Sequence, residues 1–256
     1  MSVEVIHAPA LGAVAHGFLG RGGGVSTGAL AGLNVGYGSS DDRDAIAENR
    51  RRAVDAVLPG GELTTVHQVH SALCVEARQA WPHDARPHAD AMVTATPGLL
   101  LGILTADCAP VLFADRRGEV IGAAHAGWRG ALAGVTDATI AAMESLGARR
   151  EHVAAAVGPC IARDSYEVDE TFRTRFLDED GDNARFFTLG PAGKPHFDLP
   201  GYVAHRLVAA GVGTVATLGL DTYADAARFF SYRRATHSGE FDYGRQLSVI
   251  GISARA

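Results

Sequence analysis

The hydrophobic residues of this chain fall into short apolar runs that alternate with stretches of helical periodicity. The runs are bounded by glycine, proline and polar turn residues, which predicts strands at positions 12–18, 64–77, 99–105, 110–115, 119–125, 153–158 and 212–219. The helical periodicity predicts helices over 41–57, 130–146, 168–178 and 198–210. Strands that follow one another through short turns, with helices between them, indicate an α+β fold with mixed sheets rather than a regular βαβ winding.

Composition narrows the class of protein. No linker, repeat or low-complexity tract interrupts residues 1–256, so we expect one domain. A net charge of −6 and a pI of about 6.0 argue against nucleic acid or an anionic membrane as partner and favour a small or neutral substrate. The sequence shows no secretory signal pattern and no apolar run of the ~18 residues that span a bilayer. We therefore expect a cytoplasmic protein.

Residues 105–130, TADCAPVLFADRRGEVIGAAHAGWRG, contain a predicted hairpin with Gly118 in its turn. A two-residue loop places Cys108 directly opposite His125, and a three-residue loop shifts the partner by one position. In both registers the thiol and the imidazole are neighbours, because opposed side chains have Cβ atoms roughly 5 Å apart. They are then close enough to share a metal ion or a proton. The helix predicted to follow would direct its N-terminal amides towards the same end of the hairpin.

A third candidate ligand lies in TTVHQVHSALCVEA, residues 64–77. Strand alternation places His70 on the same face as Val66 and Gln68, and His67 on the opposite face. The two histidines are therefore not expected to act together. The three cysteines of the chain show no CxxC spacing, which argues against a disulfide framework and against a cysteine-rich zinc knuckle.

An ordered set of motifs covers most of the chain. The set consists of GGGVSTGALAGLNVG (22–36), QVH (68–70), ADCAPVL (106–112), HAGWRG (125–130), GPCIARDSYEV (158–168), FFSYRR (229–234) and GR (244–245). It resembles the YfiH/DUF152 family, whose members are variously called laccase-domain proteins, polyphenol oxidases, purine nucleoside phosphorylases and peptidoglycan editing factors. The chain departs from the family pattern at Asp221, where a cysteine is expected before Thr222 and Tyr223, and in a longer approach to the final GR.

The resemblance implies a layered α/β/β/α domain and a zinc ion held by His70, Cys108 and His125, which would also be the catalytic residues. It further implies phosphorolysis of purine nucleosides (adenosine, inosine, guanosine and methylthioadenosine) and deamination of adenosine. Two histidines and one thiolate with an open fourth position form a known type of catalytic zinc site, in which the pKa of bound water can reach ~7.

Phosphorolysis also requires a site that binds phosphate beside C1′ of the nucleoside. Candidates for it are the glycines at 22–24 together with Ser26, Arg50, Arg129, Arg233 and Arg234. Trp128 is a candidate to stack on the purine. Three further residues, Asn34, Gln68 and Asp107, lie in the motifs that carry the resemblance and complete the predicted substrate-binding set.

Three other interpretations remain open from the sequence. A His₂Cys ligand set also suits copper in a polyphenol oxidase, although none of the eleven histidines forms the H-x-H pairs that a multicopper cluster uses. Cys108 with His125 as its base would suit a metal-free amidase that edits peptidoglycan precursors. A non-catalytic zinc protein that acts as a partner surface is the third. A closed structural zinc site normally has four protein ligands, and only three are in view here.

Overall fold

The computed structural model describes residues 2–191 and 193–254 of the chain. Over these residues it forms thirteen β-strands and six α-helices. The strands are β1 Val5–Ile6, β2 Ala15–Leu19, β3 Glu62–Thr65, β4 Cys74–Glu76, β5 Ala91–Thr94, β6 Leu99–Thr105, β7 Ala109–Asp115, β8 Ile121–Ala126, β9 Val153–Val157, β10 Phe187–Leu189, β11 Pro195–Phe197, β12 Thr214–Thr217 and β13 Gln246–Gly251. The helices are α1 Arg43–Val57, α2 Trp128–Ala133, α3 Val135–Ser145, α4 Glu170–Glu179, α5 Leu199–Ala209 and α6 Tyr232–His237.

Two mixed sheets form the centre of the fold. One has five strands in the order β1-β2-β13-β6-β3, and the other has six in the order β12-β9-β7-β8-β5-β4. The strands β10 and β11 form a separate antiparallel ribbon. The sheets pack face to face, helices α2, α3 and α5 cover the outer face of the six-stranded sheet, and α1 packs on the other sheet. The result is the predicted α/β/β/α arrangement, and the predicted α+β class is confirmed.

Side chains along β6 show how the sheets are buried. Leu101 and Ile103 lie in the apolar cluster between the two sheets, whereas Leu100 belongs to the cluster that α1 covers. Both faces of this strand are therefore excluded from water, which explains why its sequence is a continuous apolar run rather than an alternating one. Among the described residues, no helix combines the length and the apolar character needed to cross a bilayer.

Strands β7 and β8 form the predicted hairpin, but with a longer loop. Residues 116–119 make a four-residue loop, closed by a 2.9 Å hydrogen bond from the Asp115 amide to the Val120 carbonyl. The register pairs Pro110 with His125, so the predicted opposition of Cys108 and His125 is wrong. Cys108 lies just before β7, beside Gly127. The thiol and the imidazole are nonetheless neighbours, as predicted.

Two other predicted elements are interrupted. The predicted strand 64–77 consists of β3 and β4 with an irregular segment between them, and His70 lies in that segment at a φ of 61°. The predicted helix 130–146 is two helices, because Gly134 adopts a left-handed conformation with φ of 92° and ends α2. The sequence patterns also missed several elements, including β5 and the central strand β13.

Candidate metal centre

Cys108 lies in a tight turn between the adjoining strands β6 and β7. Asp107, directly before it, has a φ of 86°, which is unusual for a residue other than glycine. Its carboxylate accepts hydrogen bonds from the hydroxyls of Thr222 at 2.7 Å and Ser231 at 2.9 Å and from the backbone amide of Arg233 at 2.7 Å. These contacts hold the turn in its strained conformation and thereby fix the position of the thiol.

His125 lies near the end of β8 with its imidazole almost completely buried. Its Nδ1 donates a hydrogen bond to the Asp90 carboxylate at 2.8 Å, and its backbone amide donates to the Asp90 carbonyl at 2.7 Å. Since Nδ1 is occupied, Nε2 is the nitrogen left to bind a ligand. This is the arrangement in which a carboxylate orients a metal-binding histidine.

The same carboxylate holds the segment that carries His70. Asp90 accepts hydrogen bonds from the backbone amides of Val69 at 3.1 Å, His70 at 3.0 Å and Ser71 at 2.6 Å, and from the Ser71 hydroxyl. These bonds replace the strand pairing that the alternation of residues 64–77 predicts. His70 therefore approaches Cys108 from a loop, and not from the face of a strand.

His70, Cys108 and His125 form a compact set of three potential ligands. Their donor atoms all lie within 4.8 Å of one another, and they are the one such group of three or more histidine, cysteine or acidic residues in the described chain. The His70 and His125 rings meet nearly edge to face, with centroids 4.8 Å apart. Two imidazoles and a thiol suit zinc or copper, and the absence of a fourth protein ligand among the described residues is typical of an open, catalytic site.

Electrostatic interactions favour the charged forms of these groups. Burial raises the pKa of the Cys108 thiol, but the neighbouring imidazoles of His125 and His70 outweigh it and lower the pKa below its ordinary value. Burial likewise opposes the charged form of His125, whose pKa is nevertheless raised by the Cys108 thiolate and the Asp90 carboxylate. The pKa of Asp90 falls to about 2 despite burial, because His125 and Ser71 donate hydrogen bonds to it. Cys108 is therefore poised as a thiolate, the form that binds metals.

Gly127 makes the close approach of these groups possible. A Cβ atom at this position would lie 2.9 Å from Sγ of Cys108 and 3.1 Å from Cδ2 of His70. Any side chain would therefore collide with two of the three donors. The glycine of the HAGWRG motif is explained by this contact, since its φ of −65° is one that any residue can adopt.

Two cavities share His70 and Cys108, two of the three donors, in their walls. The larger, of about 690 Å³, lies on the side of the donors where Tyr37, Arg86 and Arg245 contribute to its wall. The smaller, of about 290 Å³, has aromatic side chains in its wall, among them Trp128. Both cavities include His70 and Cys108 in their walls, so a ligand in either one reaches the same pair of side chains.

Four of the predicted substrate-binding residues line the smaller cavity: Asp107, Trp128, Arg129 and Arg233. The Asp107 carboxylate is already occupied by the hydrogen bonds that hold its turn. Trp128 packs on Phe172 with ring centroids 4.9 Å apart, and Arg129 lies over the indole at 5.1 Å. Arg233 donates to the Glu167 carbonyl at 2.7 Å. Trp128 is therefore both part of the core and part of the cavity wall.

Gln68 and Arg50 lie at the larger cavity in different ways. Gln68 is part of its wall, and its side-chain amide exchanges two hydrogen bonds with the backbone of Leu104, at 2.8 and 2.9 Å. Arg50 is behind the wall, with its guanidinium 4.7 Å from the centre of the Tyr37 ring and its Nε donating to the Val35 carbonyl. Gln68 thus extends strand pairing next to the site, and Arg50 supports Tyr37.

Ser26 and Asn34 line neither of these two cavities. The Ser26 hydroxyl accepts a hydrogen bond from the buried Asn49 amide at 2.8 Å, and Asn34 accepts from the backbone amide of Arg245 at 3.0 Å. Of the glycines at 22–24, Gly23 and Gly24 are packed, since a Cβ would lie 2.7 Å and 2.1 Å from a backbone carbonyl oxygen, whereas Gly22 has open space around it. The side chains of Ser26 and Asn34 are therefore committed to holding the N-terminal loop together.

Asp90 is the residue at this site that sequence reasoning missed. It lies in HADAMVT, a stretch with no spacing that points to a metal or to catalysis. Its importance follows from contacts with residues about 20 and 35 positions away in the chain. The one local signal is the position of this aspartate directly before an apolar run. An acidic side chain at such a position is rarely buried without a partner.

The match to known proteins covers almost the whole chain. A family model described as "Multi-copper polyphenol oxidoreductase laccase" matches residues 15–253. A purine nucleoside phosphorylase of Deinococcus radiodurans is 42% identical over 261 residues, covering 99% of this chain and 94% of that protein. Purine nucleoside phosphorylase PA4543 of Pseudomonas aeruginosa is 37% identical over 222 residues, covering 86% and 88%.

Solved structures agree with the fold. The crystal structure of Neisseria meningitidis protein NMB0706 matches with a TM-score of 0.88 at 34% identity, covering 99% of this chain and 100% of that one. The crystal structure of the hypothetical protein YfiH from Bacillus licheniformis matches with a TM-score of 0.87 at 25% identity, covering 98% and 97%. The layered architecture is therefore shared with experimentally determined members.

Proposed function

This chain belongs to the family described as multi-copper polyphenol oxidoreductase laccase, and from that membership and the geometry of its site we propose that it is a zinc-dependent purine nucleoside phosphorylase. The proposed substrates are phosphate and adenosine, inosine, guanosine or methylthioadenosine. The relatives named purine nucleoside phosphorylase support the reaction class. The same site is proposed to deaminate adenosine, with water replacing the amino group at C6 and ammonia leaving.

One observation carries the proposal: two of the three donors, His70 and Cys108, lie in the walls of two cavities of different character. Phosphorolysis has two substrates, and each needs its own place next to the bond that breaks. His70 and Cys108 belong to both walls, so two substrates in the two cavities would meet at these side chains. A hydrolase that acts on one small substrate would need one such cavity.

The reaction is a substitution at the anomeric carbon of the nucleoside. A phosphate oxygen forms a bond to C1′ as the C1′–N9 bond breaks, and the electron pair of that bond goes to the purine, which takes up a proton. Ribose 1-phosphate and the free base are the products. The residues of this chain bring the substrates together in a site partly closed to water, which lowers the entropic part of the barrier.

The donor set fits zinc in its chemistry, with the Cys108 thiolate, the His125 imidazole and the His70 imidazole as the holding groups. Zinc in this position would supply Lewis-acid stabilisation of negative charge at the junction of the cavities. Asp90 keeps Nδ1 of His125 occupied and fixes the backbone of His70. Asp107 and Gly127 set the position of the thiolate. These contacts leave the donors little freedom to move when substrate binds.

One observation also favours a second candidate, a metal-free amidase. Cys108, His125 and Asp90 form a chain of thiol, imidazole and carboxylate, which is the arrangement of an activated cysteine nucleophile. His70 weighs against it, because a nucleophile and its base need no second imidazole within 4.8 Å. The two candidates differ in whether the Cys108 thiolate is bound to metal or free to react.

Purified protein incubated with inosine is expected to release hypoxanthine when phosphate is present and to form an equal amount of ribose 1-phosphate. Omission of phosphate should abolish release of the base, because the attacking oxygen belongs to phosphate. Chromatography of the base and an enzymatic assay for the sugar phosphate measure both products. With adenosine and no phosphate, slow formation of inosine and ammonia is expected.

Two outcomes would contradict the proposal. Release of the base at the same rate without phosphate would identify a hydrolase. Intact nucleosides together with rapid oxidation of a phenolic dye would support the oxidase that the family description names. A parallel assay with Cys74→Ala is the control, because this half-buried cysteine lies on β4 and lines neither cavity at the three donors.

A further inference from the structure

The larger cavity carries an unusual set of side chains for a chain with a net charge of −6. Its described wall includes Arg86, Arg245 and several histidines and tyrosines, but no aspartate or glutamate. Neither arginine forms a salt bridge with a carboxylate among the described residues. Unpaired arginines in a concave, partly buried surface create a positive potential that attracts anions.

More positive charge lies directly behind this wall. The guanidiniums of Arg50 and Arg43 are 4.7 Å and 5.9 Å from the centre of the Tyr37 ring. Arg86 donates from Nε to the carbonyl of His83, whose ring is 4.5 Å from that of Tyr37. Burial and these neighbouring arginines lower the pKa of His83.

The carboxylate near Arg245 lies outside the wall. It belongs to Asp242, whose pKa is lowered, despite burial, by hydrogen bonds from Ser40 and Tyr243 and to a smaller degree by the charge of Arg245. This carboxylate is already engaged, because it accepts two hydrogen bonds from Ser40, one from the backbone amide and one from the hydroxyl. The positive charge that faces the cavity is therefore not neutralised from within it.

Unsatisfied polar atoms point to the same place. In the described part of the chain, two buried side-chain atoms lack a hydrogen-bond partner, Oγ1 of Thr105 and Nη2 of Arg50. Thr105 is 3% exposed and is part of the wall of the larger cavity, and Arg50 stacks on the Tyr37 side of that wall. Buried polar groups without partners are rare in native proteins. A bound polar ligand in this cavity would give the Thr105 hydroxyl the partner it lacks.

The smaller cavity is a poorer place for an anion. Its wall also includes two arginines, Arg129 and Arg233, but unlike the larger cavity it holds a carboxylate, that of Asp107, which offsets part of their charge. Trp128, Tyr166, Ile161 and Leu199 make up much of the rest of the wall. Aromatic and aliphatic surfaces suit the flat, uncharged ring of a purine, which stacks on aromatic side chains. At about 290 Å³ this cavity also suits a nucleobase better than a base with its sugar and phosphate.

The structure assigns the phosphate and the ribose 1-phosphate product to the larger cavity, with Arg86 and Arg245 as the residues that bind the anion and the Thr105 hydroxyl as a further contact. The purine then occupies the smaller cavity, and the C1′–N9 bond lies between them beside His70 and Cys108. This assignment rests on the proposed phosphorylase function. It differs from the phosphate site predicted from the sequence, which consisted of the glycines at 22–24 with Ser26 and other arginines and included neither Arg86 nor Arg245.

Titration calorimetry with inorganic phosphate tests the anion site without relying on turnover. We expect Arg86→Gln and Arg245→Gln each to weaken phosphate binding by about 10- to 100-fold, the range for loss of a hydrogen bond to a charged group. In the kinetic assay the KM for phosphate should rise by a similar factor, while the KM for inosine changes little. Arg116→Gln is the matched control, because it removes an exposed arginine in the hairpin loop and should leave phosphate binding unchanged.

Three outcomes would contradict either the anion-site assignment or the phosphorylase proposal, and they can be told apart. Phosphate binding that is unchanged in both Arg86→Gln and Arg245→Gln, but weakened in Arg129→Gln, would move the anion to the smaller cavity and overturn the assignment. If the wild-type protein cleaves no nucleoside, yet binds phosphate and loses it in these variants, the anion site stands and the phosphorylase proposal fails. If the wild-type protein cleaves nucleosides but neither variant alters phosphate binding, the phosphorylase proposal stands and the anion site fails.

Thr105→Val gives a second, independent test. The substitution removes a buried hydroxyl that has no partner, so thermal stability should be unchanged or higher than in the wild type. Binding of ribose 1-phosphate should nevertheless weaken by about 3- to 10-fold, as expected for one neutral hydrogen bond. A variant that is less stable and binds ribose 1-phosphate as well as the wild type would show that the hydroxyl serves the fold, and would remove Thr105 from the assignment.

Discussion

Replacing Cys108 with alanine is expected to lower the rate of phosphorolysis by more than about 100-fold. Loss of a hydrogen-bonding partner outside the ligand set already costs about 10- to 100-fold in metal affinity or activity, and Cys108 is one of three proposed ligands. Its thiolate is also a partly buried negative charge close to two imidazoles. Steady-state rates with inosine and saturating phosphate measure the loss, and circular dichroism checks that the variant is folded.

Two further variants sharpen this prediction. Cys74→Ala should retain wild-type rates, which separates loss of a ligand from loss of a cysteine in general. Cys108→Asp should retain weak metal binding and some turnover, because a carboxylate also coordinates zinc through oxygen. Wild-type activity in Cys108→Ala would exclude the thiolate from the mechanism. Complete tolerance of Cys108→Ala together with loss of activity in His125→Ala would leave only a general-base role for the imidazole.

Asp90→Asn should reduce metal affinity and activity by about 10- to 100-fold although Asp90 itself lines neither cavity. The asparagine keeps one acceptor for the amides of residues 69–71 but removes the charge that fixes Nδ1 of His125. Because Asp90 acts as a positioning residue, its substitution should raise the dissociation constant for zinc, measured with a competing chelator, and should also lower kcat. The KM for phosphate should change little, because the anion site is on other residues.

Asp115→Asn is the matched control for this variant. Asp115 is also a buried aspartate, and it accepts hydrogen bonds from the amides of Glu119 and Val120 in the hairpin loop. Its loss should lower thermal stability without changing zinc affinity. If Asp90→Asn lowers stability to the same degree and leaves zinc affinity intact, Asp90 serves the fold alone and its positioning role is wrong.

Local patterns predicted most of the architecture. The strand predicted at 99–105 has the bounds of β6, and the predicted hairpin and layered arrangement are present. The errors come from interactions between distant residues. The Asp90 carboxylate accepts hydrogen bonds from the backbone amides of residues 69–71. These bonds interrupt the predicted strand 64–77, although its sequence alternates as a strand does. Gly134 lies within the helix predicted over 130–146, where it ends α2; periodicity alone did not indicate this break, because a single glycine is tolerated in many helices.

The sequence predicted the three metal-binding candidates but not the residues of the proposed anion site, again because the latter depend on contacts between distant parts of the chain. His70, Cys108 and His125 carry metal-binding chemistry and lie in distinctive motifs, and the structure brings them together. Ser26 and Asn34 lie in an equally distinctive motif, yet their side chains hold a loop. The sequence did not mark Arg86 or Arg245 as anion-binding residues, although Arg245 lies in the GR motif, because that role depends on the absence of carboxylates from the described wall of the cavity. That property belongs to the folded wall of the cavity and not to any stretch of the chain.

The metal content of protein purified without added metal tests the central claim most directly. Elemental mass spectrometry should find about one zinc per chain in the wild type and little in His70→Ala, Cys108→Ala and His125→Ala, because two remaining ligands hold zinc poorly. Iodoacetamide should then alkylate Cys108 only after a chelator removes the metal. Stoichiometric copper would contradict the account, and so would a metal-free protein that cleaves nucleosides and whose Cys108 reacts without chelator.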